Sequence, residues 1–274
     1  MKLTLFLKEK YNSFTKMQKI VFLIALMTLF VLIASTLINW HIISNKTIEK
    51  INLLQASERE FLLKSELHGI KTLGMFWRTN LTFTWLSNTF LVIALFIYAF
   101  HPKNYIVKQI LFLAIVYITI TFVVYWTLIF GPDLKKFTPL YFFNTFIIHA
   151  VNPILGFVVW IMNRKELEVS RKTIYLSLIT MVCYYFFALI TFFMALPIHN
   201  ELQNVPLKEN VTLTKELDMT IYGFLNFTHP LFYKGTNTFV IVLLNIVIFV
   251  FGSVLTPLIG LFWTKVFRVK IRKR

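Results

Sequence analysis

Long apolar runs alternate with short polar segments along most of the chain. A helix needs about 20 predominantly apolar residues to cross a bilayer, and six stretches meet that requirement. They lie at 17–40, 76–100, 109–130, 140–162, 173–196 and 238–263. The pattern therefore predicts an all-α, polytopic membrane protein, folded as a bundle of six transmembrane helices.

The distribution of basic residues predicts which side each loop faces. Lys and Arg concentrate in the N-terminal segment, in the loops at 101–108 and 163–172, and in the C-terminal tail. The other connections are longer and hold fewer basic residues, together with most of the acidic ones. Because basic residues favour the cytoplasmic side, both termini are predicted to be cytoplasmic.

This orientation divides the chain into five predicted parts. They are a cytoplasmic basic N-terminus (1–16), a first transmembrane helix (17–40), an external amphipathic arm (41–75), a five-helix membrane core (76–263) that includes an external loop (197–237), and a basic cytoplasmic tail (264–274). The arm shows a helical period with mixed charge over residues 49–74, which predicts an amphipathic helix on the outer surface.

Composition supports the membrane class and argues against other functions. Hydrophobic residues make up 57% of the chain, against about 45–50% in soluble domains. The single cysteine, Cys183, excludes a disulfide framework and a cysteine-based metal site. A net charge of +16 is expected from orientation signals, so the tail "TKVFRVKIRKR" predicts an anionic-lipid anchor rather than a nucleic-acid contact. We expect no metal and no cofactor.

Polar side chains recur inside the predicted spans, mostly toward the external side. Several share one helix face at spacings of three and four residues, and they predict a polar cavity in the outer half of the bundle. Pro153 removes a backbone donor, which frees the carbonyl of His149 for Thr145, Asn152 or water. The candidate cavity residues are Thr84, Ser87, Asn88, Thr121, Tyr125, His149, Asn152, Tyr184, Asn226 and Asn245.

Simpler explanations exist for these polar residues. Ser and Thr in membrane helices commonly bond the carbonyl four residues earlier, while Asn and His often connect neighbouring helices. His149 alone is equally consistent with packing and with function. The six stretches contain no Asp or Glu, which argues against an ion-coupled pump or transporter.

Four motifs occur in the order found in a bacterial six-helix integral membrane family. "FTWLSNTFLVIAL", "TFVVYWTLI" and "IIHAVNPILGFVVW" resemble its blocks F-T-x-x-S-N, T-x-x-x-Y and H-x-x-x-P-x-x-x-x-x-x-W. "IYGFLNF" resembles its Y-P-Y-x-F-L-D/N block, although Gly223 replaces the proline. The resemblance extends over residues 76–263 and implies a multi-pass protein of a bacterial plasma membrane.

That family is distantly similar to the androgen-induced and androgen-dependent intramembrane hydrolases. The resemblance implies that Thr84 is a nucleophile supported by His149 in the cleavage of fatty-acid esters. Thr82 and Ser87 remain alternative nucleophiles. A related branch of phospholipid acyltransferases implies that acyl transfer is a further possible activity, with membrane lipids as partners. In such a site, Asn152 would orient the imidazole, and Asn88 would donate to the developing oxyanion.

Three functions are therefore consistent with the sequence. The first is a lipid acyl-ester hydrolase or acyl-transfer enzyme that uses the Thr84–His149 pair. The second is a non-enzymatic lipid- or small-molecule-binding membrane protein, and the third is a structural membrane protein whose polar residues only connect helices. The enzyme hypothesis requires Thr84 or Ser87 to lie within about 3–4 Å of a His149 ring nitrogen.

Overall fold

A computed structural model describes residues 9–64, 72–134, 138–204, 214 and 217–272. Helices make up most of this part of the chain, which confirms the all-α class. The helices are α1 (Lys16–Asn52), α2 (Ala56–Lys64), α3 (Thr72–Asn80), α4 (Phe83–Phe100), α5 (Tyr105–Asp133), α6 (Pro139–Asn163), α7 (Arg171–Leu202) and α8 (Thr238–Val266). Within the described residues, six of them, α1 and α4 to α8, are long and apolar enough to cross a membrane.

Polar residues define where several of these helices begin. Thr15 and Gln18 form a reciprocal capping box at the start of α1, which satisfies backbone donors that have no partner within the helix. Asn104 caps α5 with its side-chain oxygen. Thr138 caps α6, and Pro139 occupies the first helical position, where its missing N–H has no cost.

Two helix boundaries differ most from the predicted ones. Helix α1 continues to Asn52 rather than ending at residue 40. The second predicted span begins at Phe83 rather than at residue 76, because Thr82 has an extended backbone and separates α3 from α4. The predicted arm helix at 49–74 is divided among the end of α1, α2 and the start of α3. Residues 65–71 of that segment lie outside the described residues.

The chain divides into two compact units. The first comprises Met1–Ser170 with Trp263–Lys273, and the second contains Arg171–Phe262. In the first unit, α1 and α5 both pack against α4, and α6 packs against α5 and α1. The core of this unit consists of fully buried side chains, among them Leu91, Leu95, Phe112, Ile115 and Trp160.

The second unit contains α7, most of α8 and the described part of their connection. Two short 3₁₀ turns, Gly223–Leu225 and Pro230–Phe232, lie in that connection. Its aromatic segment does not form an extended loop, because Leu225 and Phe227 bury their side chains in a cluster with Phe192 of α7.

A short parallel pair of strands completes the first unit. Strand β1 (Glu168–Ser170) follows α6, and strand β2 (Lys270–Arg272) follows α8. Val169 pairs with Ile271. The sequence pattern predicts a lipid contact for the C-terminal tail and gives no indication of this strand pairing.

Gly156 permits the close approach of α6 to α4 and α5. A Cβ at this position would lie 3.0 Å from Leu91 Cδ1 and 3.4 Å from Ile115 Cδ1. We expect Gly156→Val to lower the free energy of unfolding by about 1–3 kcal/mol, because these branched side chains have little room to move. Unfolding of the purified protein by increasing SDS in mixed micelles measures the change.

Gly252→Val is the matched control for this substitution. A Cβ at Gly252 would meet no described atom within 4 Å, so the same side chain is expected to change stability by less than about 0.5 kcal/mol. Equal losses for the two variants would contradict the assignment of a packing role to Gly156.

Candidate functional site

Thr84 and His149 contact each other between α4 and α6. The Oγ1 atom of Thr84 lies 3.4 Å from Nε2 of His149, which meets the distance required for a nucleophile and a base. Thr84 is in the first turn of α4. Both side chains are buried, with 7% and 9% of their surfaces exposed.

The second ring nitrogen of His149 determines the direction of that contact. Nδ1 lies 2.9 Å from the backbone carbonyl oxygen of Thr145. A carbonyl oxygen only accepts hydrogen bonds, so Nδ1 carries the proton. In the neutral ring, Nε2 is then an acceptor, and the Thr84 hydroxyl donates to it.

The helix geometry around His149 departs from an ordinary α-helix. Residues Ile147–Val151 form a π-helical segment, in which the N–H of Asn152 donates to the carbonyl of Ile147 five residues earlier. A second π-helical segment, Tyr125–Ile129, lies in α5. Such segments occur frequently at functional sites. Here they rotate the side chains of Tyr125 and His149 out of the regular helical register.

The carbonyl of His149 is freed by Pro153 and receives its donor from another helix. Trp126 of α5 donates its indole N–H to that oxygen at 3.2 Å. The observed donor is therefore Trp126 rather than Thr145, Asn152 or water, the donors predicted from the sequence. This bond connects the π-helical segment of α5 directly to that of α6.

Tyr125 covers one face of the imidazole. The two rings stack with a centroid separation of 3.8 Å and an interplanar angle of 18°. Only 2% of Tyr125 is exposed, and its hydroxyl makes no well-formed hydrogen bond to a described residue. The stacking holds the ring of His149 in one orientation.

Asn88 and Asn152 form a buried bridge beside the pair. The Asn88 amide donates to the carbonyl of Thr84 at 2.8 Å and to that of Ile148 at 3.4 Å. Its oxygen accepts from Asn152 Nδ2 at 3.0 Å. The hypothesis that Asn152 orients the imidazole differs from what the structure shows, since the Thr145 carbonyl binds the ring. The donors of Asn88 are likewise directed at backbone carbonyls rather than at an open oxyanion position.

The two alternative nucleophiles have other partners. Ser87 lies 2.6 Å from the hydroxyl of Thr121 and donates to the carbonyl of Thr84 at 3.1 Å. Thr82 precedes α4 and donates to the carbonyl of Thr79. Of the three candidate hydroxyls, the structure thus places Thr84 against His149.

Three predicted cavity residues belong to the second unit. Tyr184 is buried there. Asn245 donates to the carbonyl of Phe227 at 2.9 Å, which ties α8 to the connecting segment. Asn226 accepts from the N–H groups of Thr228 and His229 and stabilises a turn.

Helix α1 supplies polar contacts that the sequence analysis did not anticipate. Ser35 donates to the side-chain oxygen of Asn144 at 2.7 Å, and the Thr28 carbonyl accepts from Asn152 at 3.4 Å. Thr36 accepts from the Trp85 indole at 2.9 Å. Their spacing of seven and eight residues, from Thr28 to Ser35 and Thr36, places them on one face of α1 and was the available signal.

Asp133 is a further residue near the site that the sequence did not single out. Helix α5 extends to this position, past the predicted end at residue 130, so an acidic residue does belong to a candidate span. Its carboxylate accepts from the Tyr141 hydroxyl at 2.9 Å, and 7% of its surface is exposed. His149 Nδ1 nevertheless bonds the Thr145 carbonyl, not this carboxylate.

Two clefts lie away from the Thr84–His149 pair. One, of about 540 Å³, is in the first unit between the ends of α6 and α8, and the other, of about 440 Å³, is in the second unit. Neither cleft is lined by Thr84 or His149. Over the described ranges, no three His, Cys, Asp or Glu side chains gather closely enough to hold a metal ion.

Comparison with known proteins identifies no relative of this chain. No protein family, no curated protein and no solved structure matches the chain. The case for a function therefore depends on the geometry of the residues themselves.

Proposed function

We propose that this protein cleaves or transfers acyl groups of membrane lipids, with Thr84 as the nucleophile and His149 as the general base. One observation supports the proposal above all others. The Thr84 hydroxyl donates to Nε2 of an imidazole whose Nδ1–H is held by the Thr145 carbonyl. A hydroxyl requires an adjacent, oriented base of this kind to become a useful nucleophile.

The reaction follows from this arrangement. Thr84 Oγ1 attacks the ester carbonyl while its proton passes to Nε2 of His149. The tetrahedral intermediate collapses when the C–O bond to the alcohol breaks and Nε2 returns the proton to the departing oxygen. Water then hydrolyses the acyl-threonine, or the hydroxyl of another lipid accepts the acyl group. Throughout, the Thr145 carbonyl accepts the hydrogen bond from Nδ1–H and stabilises the transient imidazolium.

Two features are suited to stabilise the negative charge that develops on the substrate oxygen in the tetrahedral intermediate. Thr84 lies in the first turn of α4, where the helix dipole is positive and favours an anion. The hydroxyl of Tyr125, whose ring stacks on His149, is buried and forms no well-formed hydrogen bond to a described residue, so it is available as a donor in the site. In a site with low dielectric constant, such donors have larger effects than in water.

The surface of the protein fits a lipid substrate. Large apolar side chains are widely exposed along the candidate spans, including Phe30, Met194, Phe239 and Phe251 at 66–75%. A membrane presents acyl esters to such a surface. Thr84 and His149 are both buried in this structure, so a substrate reaches them when a neighbouring helix moves.

Reaction with a fluorophosphonate probe tests the proposal. The purified full-length protein is labelled in detergent, digested, and examined by mass spectrometry for the modified residue. We expect a phosphonate adduct on the Thr84 hydroxyl, and prior heat denaturation should abolish it. Absence of an adduct in folded protein, or an adduct confined to another residue, would contradict the proposed nucleophile.

Lipid binding without chemistry is the second candidate function, and the cleft in the second unit favours it. Aromatic side chains of α7 and α8 line this cleft, together with Asn245. The side-chain oxygen of Asn245 is buried and forms no hydrogen bond to a described residue. A lipid hydroxyl or amide could donate to it while an acyl chain fills the apolar part. Lipids retained through purification and lost in Asn245→Leu, with no probe reactivity, would support this function instead.

A further inference from the structure

The described end of the C-terminal tail is held in place by the first unit. Strand β2 pairs with β1, and Gln109 of α5 fixes β1 from the other side. The Gln109 amide donates to the carbonyl of Glu168 at 2.8 Å, and its oxygen accepts the N–H of Ser170 at 2.8 Å. The residue that joins α8 to β2, Val269, is buried.

This anchoring forms the cleft of about 540 Å³ between the ends of α6 and α8. The lining residues come from the two helix ends and the turns that follow them: Ile161, Arg164, Lys165, Val266, Phe267 and Arg268. Arg268 has a φ of 54°, a left-handed conformation that is uncommon for a residue with a side chain. The turn at Arg268 is thus specifically shaped, and it directs the chain back toward β1.

The cleft is cationic. Three of its six lining residues are basic and none is acidic. Two acids, Glu166 and Glu168, follow Lys165 in the chain, and neither lines the cleft. Glu168 pairs with Lys270 at 3.5 Å. Arg164 donates from Nη1 to the carbonyl of Ile161 at 3.1 Å, so its guanidinium is held at the cleft. The helix dipole also favours basic residues at helix C-termini. That effect alone does not explain why these residues line a cleft.

The remaining lining residues are apolar. Ile161, Val266 and Phe267 belong to the ends of two candidate spans, and Val266 is 56% exposed. A molecule that suits this cleft combines a negative group with an apolar portion next to it. An anionic phospholipid has this arrangement, with its phosphate at the level where helices leave the membrane.

We propose that the cleft between the ends of α6 and α8 binds the phosphate group of an anionic phospholipid. Arg164, Lys165 and Arg268 contact the phosphate, and Ile161, Val266 and Phe267 contact the first carbons of the acyl chains. The proposal assigns the predicted lipid contact of the tail to a built site rather than to a loose basic segment. It does not depend on the Thr84–His149 chemistry.

Binding of a fluorescent phosphatidylglycerol to the full-length protein in detergent micelles tests this site. A phosphatidylcholine analogue with the same fluorophore is the zwitterionic reference. We expect the double variant Arg164→Gln/Arg268→Gln to weaken phosphatidylglycerol binding by about tenfold or more, because it removes two basic residues that each attract the anionic lipid. Arg164→Lys/Arg268→Lys is expected to stay within about threefold of wild type, since the point charges remain.

Lys16→Gln/Lys103→Gln is the matched control. It removes two charges near the same end of the first unit, where Gln18 of α1 donates to the carbonyl of Ala99 at the end of α4, but neither lysine lines the cleft. Its affinity should stay within about twofold of wild type. Equal weakening in the control, or unchanged binding in the cleft variant, would overturn the proposal. So would equal affinity for both lipids together with displacement by millimolar inorganic phosphate, which would indicate a site for free phosphate.

Discussion

Thr84→Ala and His149→Ala are each expected to lower the rate of reaction with a fluorophosphonate probe, and with a fluorogenic acyl ester, by about 10³-fold. The first substitution removes the attacking oxygen, and the second removes the acceptor of its proton. Because the two groups act as a unit through the 3.4 Å contact, the double variant should be no slower than either single variant.

Three further variants give this prediction its controls. Thr84→Ser keeps the hydroxyl and should retain measurable reactivity. Ser87→Ala removes a neighbouring hydroxyl on the same helix that bonds Thr121 and not His149, so its rate should remain within about threefold of wild type. Rate constants are measured on protein that elutes as a single species from size-exclusion chromatography. Additive losses in the double variant, or equal loss in Ser87→Ala, would contradict a nucleophile–base pair.

Asn88→Leu is expected to produce the largest loss of stability among these variants, about 2–3 kcal/mol in the free energy of unfolding. Asn88 is fully buried and makes three interhelical or backbone hydrogen bonds. Interhelical hydrogen bonds in membrane proteins contribute about 0.6 kcal/mol each on average. The carbonyl of Ile148 and the amide of Asn152 would also lose a buried partner, which adds to the cost.

Asn163→Leu is the matched control for this loss. Asn163 is also buried, at 3% exposure, but its amide donates within its own helix to the carbonyl of Val159 at 2.8 Å. We expect a change below about 1 kcal/mol. SDS-induced unfolding in mixed micelles measures both variants. A smaller loss for Asn88→Leu than for Asn163→Leu would show that the bridge between α4 and α6 does not contribute to stability.

Helix positions were predictable because hydrophobic length is a strong and local signal. In a bilayer, an apolar run of about 20 residues can satisfy its own backbone groups only as a helix, so each predicted span corresponds to a long helix, with the start of the second span belonging to α3. The residues at which the helices begin and end were harder to predict. The segment "NLTFTW" contains Thr82 as a possible cap. The break between α3 and α4 was not predicted because apolar residues lie on both sides of Thr82 and continue the hydrophobic run.

The candidate site could be predicted in part from the sequence. Helical spacing put Thr84, Ser87 and Asn88 on one face, and the resemblance selected Thr84 and His149 as partners. Spacing could not distinguish which hydroxyl meets the imidazole, because that depends on the rotation of α4 relative to α6. That rotation is fixed by contacts between helices, which no spacing within one helix reveals.

What the sequence determined by itself is the class of the protein: an all-helical chain with six segments apolar enough to cross a membrane and polar residues at defined positions within them. These properties follow from local composition and from backbone hydrogen bonding within each helix. Only the tertiary structure decided the partners of those polar residues. The contacts from Thr84 to His149, from Ser35 to Asn144 and from Gln109 to β1 join residues distant in sequence. Side-chain packing selects such pairs, and no local pattern encodes them.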